Sequence, residues 1–360
     1  IFIKCVLPDT RPNLKILDDG VCNACKLHKI KKETKNWSKQ KKKLEKIFEI
    51  VKNKNKNNYD CVIPVSGGKD STWQVIECLR YNLTPLAVTW KSPGRNKIGK
   101  KNLDNLISLG VDHIDYSINP KVEAYFMLKT LKIKGSSAIP MHFFIYNIPR
   151  MIAEKFNIPL VIWGENSAAE YGFKKKKDLN STMNKEWLKN YAPTGNTDLN
   201  FWIDKFLNKK KLVSLIHKNN SKIKSIFLGD YLKWDPQKSF NFAKRNGFLI
   251  PKAPKTGYYN FADIDCDFIS IHHYIKWLKF GFTRLFDNLS LEIRNNRMTR
   301  KEAITIIKKH SKKIKPEDDI KKFCKFTKIE LNEFDMIVEK FRNKKIWKLQ
   351  KNKWYIEDFI

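Results

Sequence analysis

Acidic residues are scarce in this chain. Thirty-seven Asp and Glu stand against 71 Lys and Arg among 360 residues, a formal net charge of +34. That balance favours anionic partners such as nucleotides, nucleic acid and acidic sugars. Much of the excess lies in Lys- and Asn-rich stretches such as residues 52–58, KNKNKNN. An AT-rich coding bias gives the same composition, so solvated faces account for most of this charge. Cysteine is also sparse. Seven scattered cysteines are too few for a disulfide scaffold of this size, which points to a reducing compartment and an expected cytoplasmic location. No apolar run is long enough to span a bilayer, and no secretory signal opens the sequence. Internal repeats are lacking, and no Ser/His/Asp spacing compels a nucleophile. The 42% hydrophobic content suffices for a sizeable core, as one large domain with appendages or as two domains.

What is present centres on Ser66-Gly67-Gly68-Lys69-Asp70-Ser71. An apolar run, residues 60–65, precedes it, and a helical pattern from residue 71 to 81 follows. A strand, a glycine pair and a helix start make a phosphate cradle. Glycine lets backbone N–H groups approach an anion, and the first helical turn adds unpaired N–H groups and a positive dipole end. Lys69 adds a point charge, Ser66 and Ser71 add hydroxyls, and Asp70 suits a Mg²⁺ on a nucleotide. The Walker A gap between the glycines is lacking. Cys61 and Cys78 read as small core residues beside this loop.

Around the loop, strand and helix alternate. Strands are expected at 60–65, 85–90, 113–118 and 159–163, with helices at 71–81, 98–109, 121–132 and 141–156. This order predicts an α/β fold with a parallel sheet and helices on both faces. Ligands of such sheets sit beyond the carboxyl ends of the strands, so Ser66, Trp90 and Gly164 are expected to border one site. A small Cys-containing module is expected at 1–30, a basic linking helix and loop at 31–58, the core at 59–235 and a mostly helical part at 236–360. Within the second half the pattern predicts a helical region at 184–220 after the charged stretch 174–178. It then gives a strand at 225–230, helices at 268–281 and 299–311, and two more over 316–349.

Three further constellations can carry chemistry. Cys22-Asn-Ala-Cys25 with Cys5 suggests a zinc knuckle, since two thiolates three apart on a turn can face one ion. The fourth ligand stays open among His28, Cys266 and Cys324. Gly164-Glu165-Asn166 follows an apolar strand. Glu165 there can hold Mg²⁺ or orient an amide, and Asn166 can donate to an oxyanion. Finally, residues 255–300 mix aromatic, acidic and basic groups. They include Lys255, Tyr258, Asp263, Asp265, His272, His273, Arg284, Asp287, Arg294 and Arg297, and the guanidinium groups suit carboxylate or phosphate.

The Ser66–Ser71 loop resembles that of the PP-loop (N-type) ATP pyrophosphatases, the adenine nucleotide α-hydrolase-like fold. More specifically, Cys5-Val-Leu-Pro-Asp-Thr-Arg-Pro12, Asp19-Gly-Val-Cys-Asn-Ala-Cys25, Gly257-Tyr-Tyr259 and Ile293-Arg-Asn-Asn-Arg-Met-Thr-Arg300 resemble the bacterial N-acetyl sugar amidotransferases. The likeness runs from residue 1 to about 310. It implies adenylylation of the acetamido oxygen of a nucleotide-linked N-acetyl sugar by ATP with Mg²⁺. Ammonia then replaces AMP to leave an acetamidino group. It also implies surface polysaccharide (O-antigen, lipopolysaccharide) or nonulosonic acid synthesis. The ammonia would come from a glutaminase with a cyclase-like partner, and a homodimer is compatible. On that reading Ser66, Gly67, Gly68, Lys69, Asp70 and Ser71 meet the ATP phosphates, with Lys69 and Asp70 also catalytic. Trp90 and Gly164 border the nucleotide, Glu165 and Asn166 the reacting centre. Lys255, Tyr258, Arg294 and Arg297 meet the sugar nucleotide, and Cys5, Cys22 and Cys25 hold structural Zn²⁺. The family pattern carries a cysteine where Phe2 stands, so one zinc ligand must differ. The alternative is a tRNA-modifying PP-loop enzyme of the thiolation or lysidine type, which the charge would suit. No Cys-x-x-Cys flanks the expected sheet to carry its sulfur. A third reading, a degenerate ATP-binding scaffold, conflicts with the intact loop.

Overall fold

Strands with apolar residues at every position belong in sheets covered on both faces. In the computed structural model, which describes residues 4–54, 59–167, 182–183, 185–208, 211–212, 223–310 and 315–356, such runs form the centre. They are β1 (Cys61–Pro64), β2 (Pro85–Trp90) and β4 (Leu160–Trp163), flanked by β3 (Asp112–Tyr116) and β5 (Lys224–Phe227). All pair in parallel, in the order β3-β2-β1-β4-β5. The expected α/β sheet is therefore present, with strand ends shifted by a residue or two. The chain leaves β5 at Phe227 rather than continuing to 230. Leu228–Asp230 turns as a 3₁₀ segment, where Gly229 N–H donates to Gly164 O at 3.0 Å.

Helix α1 (Asn23–Thr34) precedes α2 (Trp37–Lys54), α3 (Lys69–Arg80), α4 (Lys97–Ile107), α5 (Pro120–Lys134) and α6 (Ile139–Lys155), and α2 to α6 cover the sheet. One face packs Leu44, Phe48, Val75, Leu103 and Leu106 on Cys61, Ile63 and Ile162. The other packs Phe126, Phe143, Phe144, Ile148 and Trp202 on Val62, Val88 and Val161. Alternate residues of β1 thus serve opposite layers. The single linking helix expected after residue 29 is two, because Asn36 Oδ1 accepts from Lys39 N–H at 2.9 Å and caps a new start.

The second half departs further from expectation. Helix α7 (Lys185–Tyr191) ends before Pro193, and a 3₁₀ turn at Asn200–Trp202 replaces the long helical region. Residues 174–178, 213–222 and Phe2 lie outside the described residues. Helices α8 (Pro236–Arg245), α9 (Phe268–Phe280), α10 (Arg284–Arg294), α11 (Arg300–His310), α12 (Glu317–Thr327) and α13 (Leu331–Glu339) follow. Helix α10 is unforeseen, although Leu285, Phe286, Leu289 and Ile293 recur at helical spacing; its buried residues also include Asp287, Asn288, Ser290, Glu292 and Arg294. The hairpin β6 (Trp347–Gln350) and β7 (Lys353–Ile356) is also unforeseen. Its turn uses positive φ at Lys351 and Asn352 rather than the usual glycine.

The N-terminal residues do not stand apart. Cys5, Leu7, Leu14, Cys22 and Cys25 share one apolar cluster with Phe268, Ile275, Phe286, Phe323 and Trp347, and with Met127 and Leu131 of α5. Among the described residues, no helix is long and apolar enough to cross a membrane.

Candidate active site

The strand order reverses at β1. The chain moves outward through β2 and β3, then returns to place β4 on the other side of β1. A crevice opens at such a switch point, beyond the strand ends. The Ser66–Ser71 loop leaves β1 there, and Gly164-Glu165 leaves β4 beside it. A Cβ on Gly164 would lie 2.4 Å from Gln74 Nε2 and 3.9 Å from Asp70 Cβ, so the two loops are packed together. The grouping of the phosphate loop with Gly164 and Glu165 is thus met in space.

The loop turns at Gly67, whose φ is +82°. A Cβ there would fall 2.6 Å from Leu103 N and 2.9 Å from Leu103 Cα, inside backbone. Gly68 is the N-cap of α3, in an extended conformation with no side-chain cap. The hydroxyls of Ser71 and Thr72 both donate to Gly68 O, at 2.9 and 3.1 Å. The first N–H groups of α3 therefore stay without a side-chain cap, as an anion site requires. Lys69 is buried, its ammonium paired with Asp70 and lying 5.7 and 5.8 Å from the rings of Trp234 and Phe261. Trp234 Nε1 donates to Asp70 Oδ1 at 2.9 Å. Burial pushes the Glu165 carboxyl up to about 7, and the charge of Asp70 adds to it, against Lys69 and Arg284. A buried carboxyl raised by a neighbouring carboxylate in a crevice makes, with that neighbour, a fitting pair for a divalent cation.

The crevice gains a polar wall from the chain after residue 250. Asn102 pins it, taking Leu249 N–H at 2.7 Å and donating to Leu249 O at 2.9 Å. Asn96 does the same further on, donating to Ile264 O at 2.9 Å and Asp267 Oδ1 at 3.0 Å. Burial raises Asp265, and a hydrogen bond with Ser66 partly offsets this. Asp263 has φ +57° and meets His273 Nε2 at 3.1 Å, Thr256 Oγ1 at 2.7 Å and Arg284 Nε at 3.4 Å. Burial opposes its charge, yet Arg284 and His273 hold it well below the ordinary carboxylate range. Beyond lies Asp287, bound by Lys276 at 2.8 Å and by Arg11 at 3.0 Å. Sequence reasoning marked Asp263, His273, Arg284 and Asp287 as a region. It did not foresee Arg11, which reaches in from the N-terminus. Nor did it foresee His142 and Tyr146 of α6. Their i, i+4 spacing within the mostly apolar first half of the helix was the available signal. Burial raises the Tyr146 hydroxyl, and the nearby Glu165 charge adds to it.

Other expected residues sit less simply. Asn166 is buried with both ends of its amide engaged, to Asp230 Oδ2 at 3.0 Å and by Trp187 Nε1 at 3.1 Å. Trp90 donates to Glu123 Oε1 at 3.0 Å and packs against Phe144. Lys255 pairs with Asp267 at 2.5 Å and lines a cavity of about 480 Å³ with Asn96 and Asp319. Tyr258 is exposed, its N–H donating to Asn288. Arg294 and Arg297 line a second cavity, about 220 Å³, with Lys31, Trp37, Lys233, Trp234 and Lys238. Arg297 is fixed there by Glu292 and Asp235, each at 2.7 Å. Trp234 is shared, since its indole also holds Asp70 of the phosphate loop.

Cys5, Cys22 and Cys25 come together as expected. Their sulfur atoms lie within 4.8 Å of one another, all buried. Cys22 Sγ also accepts Cys25 N–H at 3.3 Å, capping α1. Hydrogen bonds from the other two thiols lower Cys5, with Arg294 adding to the effect. Three converging buried sulfurs fit a metal ion. His28, Cys266 and Cys324 are not in that group.

Residues 255–359 match the family model "LPS biosynthesis protein WbpG-like, C-terminal domain". The WbpG-like segment begins at Lys255 and covers the polar wall and helices α9 to α13. No curated protein matches the chain. Among solved structures it is similar to "Structure of NMN synthetase from Francisella tularensis", at 15% identity over 73% of this chain and 94% of that one, TM-score 0.34. It is also similar to "NH3-dependent NAD synthetase from Campylobacter jejuni subsp. jejuni NCTC 11168 in complex with the nitrate ion". There the identity is 16% over 61% of this chain and 100% of that one, TM-score 0.30. The fold assignment rests on the strand order, not on these likenesses.

The raised Glu165 carboxyl predicts a pH signature. Its folded value, about 7, exceeds its ordinary 4.5, so the folded state binds the extra proton and loses stability as pH rises between them. Relative to wild type, Glu165→Gln should therefore gain on the order of 1–3 kcal/mol at pH 8 and little at pH 5. Urea denaturation at both pH values measures it. A gain that is equal at both would refute the assignment.

Proposed function

We propose that this chain is an ATP-dependent, AMP-forming amidotransferase. It adenylylates the acetamido oxygen of a nucleotide-linked N-acetyl sugar and replaces that oxygen with ammonia, giving an acetamidino sugar, AMP and pyrophosphate. The observation that carries this reading is the uncapped start of α3 at the sheet's switch point, with Gly67 against Leu103 and the Asp70–Glu165 carboxyl pair beside it. The WbpG-like match over residues 255–359 supports a role in surface polysaccharide synthesis, which uses activated sugars. Nonulosonic acid synthesis would supply the same substrate class.

An amide oxygen leaves poorly, and adenylylation lets it depart as AMP. The Gly67, Gly68 and Lys69 backbone would cradle the β and γ phosphates, leaving the α-phosphorus open to attack. Lys69, held against Asp70 without nucleotide, would turn to the phosphate charge. Asp70 and Glu165 would hold Mg²⁺, which neutralises the triphosphate. Ser66 and Ser71 would add hydroxyl contacts, with Trp90 and Gly164 bordering the nucleotide. Asn166, committed to Asp230 and Trp187, would keep the Glu165 backbone in place. The basic cavity with Trp37 and Trp234 suits the diphosphate and base of a sugar nucleotide, with Arg294 and Arg297 as anchors. Because Trp234 walls both sites, a sugar held there would face the phosphate loop. Lys255 and Tyr258 would border the same substrate. Ammonia would come from a separate glutaminase with a cyclase-like partner.

Two outcomes follow. Incubation with ATP, ammonium and UDP- or CMP-linked acetamido sugars should give AMP, pyrophosphate and a product carrying NH in place of oxygen, read by mass. Lys69→Ala should lower that rate about 100-fold or more. ADP as the nucleotide product would remove this reaction class.

The cysteine group would hold structural Zn²⁺, stapling the N-terminal segment that delivers Arg11 to Asp287. The purified protein should carry one zinc per chain by atomic emission, and Cys22→Ser should lose it along with several degrees of melting temperature. A metal-free wild type of unchanged stability would contradict this role.

A further inference from the structure

His273 lies on α9, 8% exposed. Its Nε2 sits 3.1 Å from Asp263 Oδ2. Its Nδ1 is buried and, among the described residues, has no hydrogen-bond partner. A histidine serving only packing would have both nitrogens satisfied, because an orphaned buried polar atom is costly. From these contacts we infer that His273 and Asp263 form a base for the nitrogen-transfer half of the reaction, with Nδ1 accepting the proton that the incoming ammonia must shed. The inference rests on the amidotransferase reading above and adds a residue role to it.

The geometry favours this direction of proton flow. An ionised Asp263 fixes the Nε2–H tautomer and leaves the lone pair on Nδ1. Thr256 Oγ1 and Arg284 hold that carboxylate in turn. The left-handed backbone at Asp263 (φ +57°) is a conformation that packing must enforce. Two residues on, Asp265 meets Ser66 of the phosphate loop, which sets the dyad beside the adenylylation site. The charged and titratable groups around the ring are Asp263, Arg284 on α10, Lys276 one turn along α9, and His272, whose ring lies 5.3 Å away. Burial and the two cations keep the imidazole neutral against the pull of Asp263.

The step balances. The ammonia lone pair forms the new C–N bond at the adenylylated carbon as the imidate C=N π pair moves onto the sugar nitrogen, and the incoming nitrogen becomes cationic. Its N–H bond breaks as Nδ1–H forms, which prevents the nitrogen from being expelled again. The lone pair on the sugar nitrogen then re-forms the C=N bond as the C–O bond breaks, and AMP departs with the C–O electrons. The imidazolium gives its proton to the phosphate of the departing AMP, so the base is regenerated without any other reactant.

Two measurements test it. Gln can still donate to Asp263 but cannot accept a proton, so His273→Gln keeps the contact and removes the base. With ATP, pyrophosphate and UDP- or CMP-linked acetamido sugars, pyrophosphate–ATP exchange without ammonium reads adenylylation alone. That exchange should stay within about threefold in His273→Gln, whereas amidine formation with ammonium chloride falls about 100-fold or more. Equal loss in both halves, or loss in neither, overturns the proposal. Absence of exchange in wild type with every sugar instead refutes the amidotransferase reading. Independently of any substrate, ¹⁵N-histidine NMR of the whole protein, assigned by His273→Gln, should show Nδ1 unprotonated and Nε2 protonated at neutral pH. A protonated Nδ1 overturns the proposal.

Discussion

The backbone of Gly67 approaches Leu103 so closely that no β-carbon fits between them. Much of the site follows from that contact. It forces a sharp left-handed turn directly after β1, and the turn aims the start of α3 into the crevice. The same contact ties the loop to α4, and α4 in turn carries Asn102, which grips the chain at Leu249. A substitution at Gly67 would therefore disturb both the anion cradle and the wall opposite it.

The wall is built from buried and half-buried charge, an expensive material. Asp263, Asp287, Lys276, Arg284, Glu292 and Arg297 are paired within and around α9 and α10, each contact a constraint on orientation rather than a large gain in stability. Arg11 extends the network to the N-terminus, where the three thiols gather. A segment nearly three hundred residues distant in sequence thereby shapes the same polar wall. The cysteine cluster and Arg11 belong to the same N-terminal segment, which packs on α9 and α10.

Much of this was legible in the sequence where one physical rule dominated. Apolar runs bounded by turn residues gave the sheet, because strands buried on both faces have no polar side. The glycine pair gave the tight turn after β1, because only glycine permits that approach. Legibility failed where side chains satisfy one another across long separations. Helix α10 shows its apolar face in Leu285, Phe286, Leu289 and Ile293, but nothing local shows that Asp287, Glu292 and Arg294 are buried with it. His142 and Tyr146 look like core residues among the apolar neighbours of the first turns of α6. The engagement of Asn166 by Asp230 and Trp187 depends on pairings 64 and 21 residues apart, invisible to local spacing. The split between α1 and α2 was visible in principle, since Asn36 is a good cap.

The central claim is that the substrate's own amide oxygen is activated on the α-phosphate of ATP. Isotope transfer tests it most directly. An N-acetyl sugar nucleotide labelled with ¹⁸O in the acetamido carbonyl is turned over with ATP and ammonium, and the nucleotide product is weighed. The account predicts that the label leaves the sugar and appears in the phosphate of AMP. Label found in inorganic phosphate beside ADP, or retained in the sugar, would contradict it.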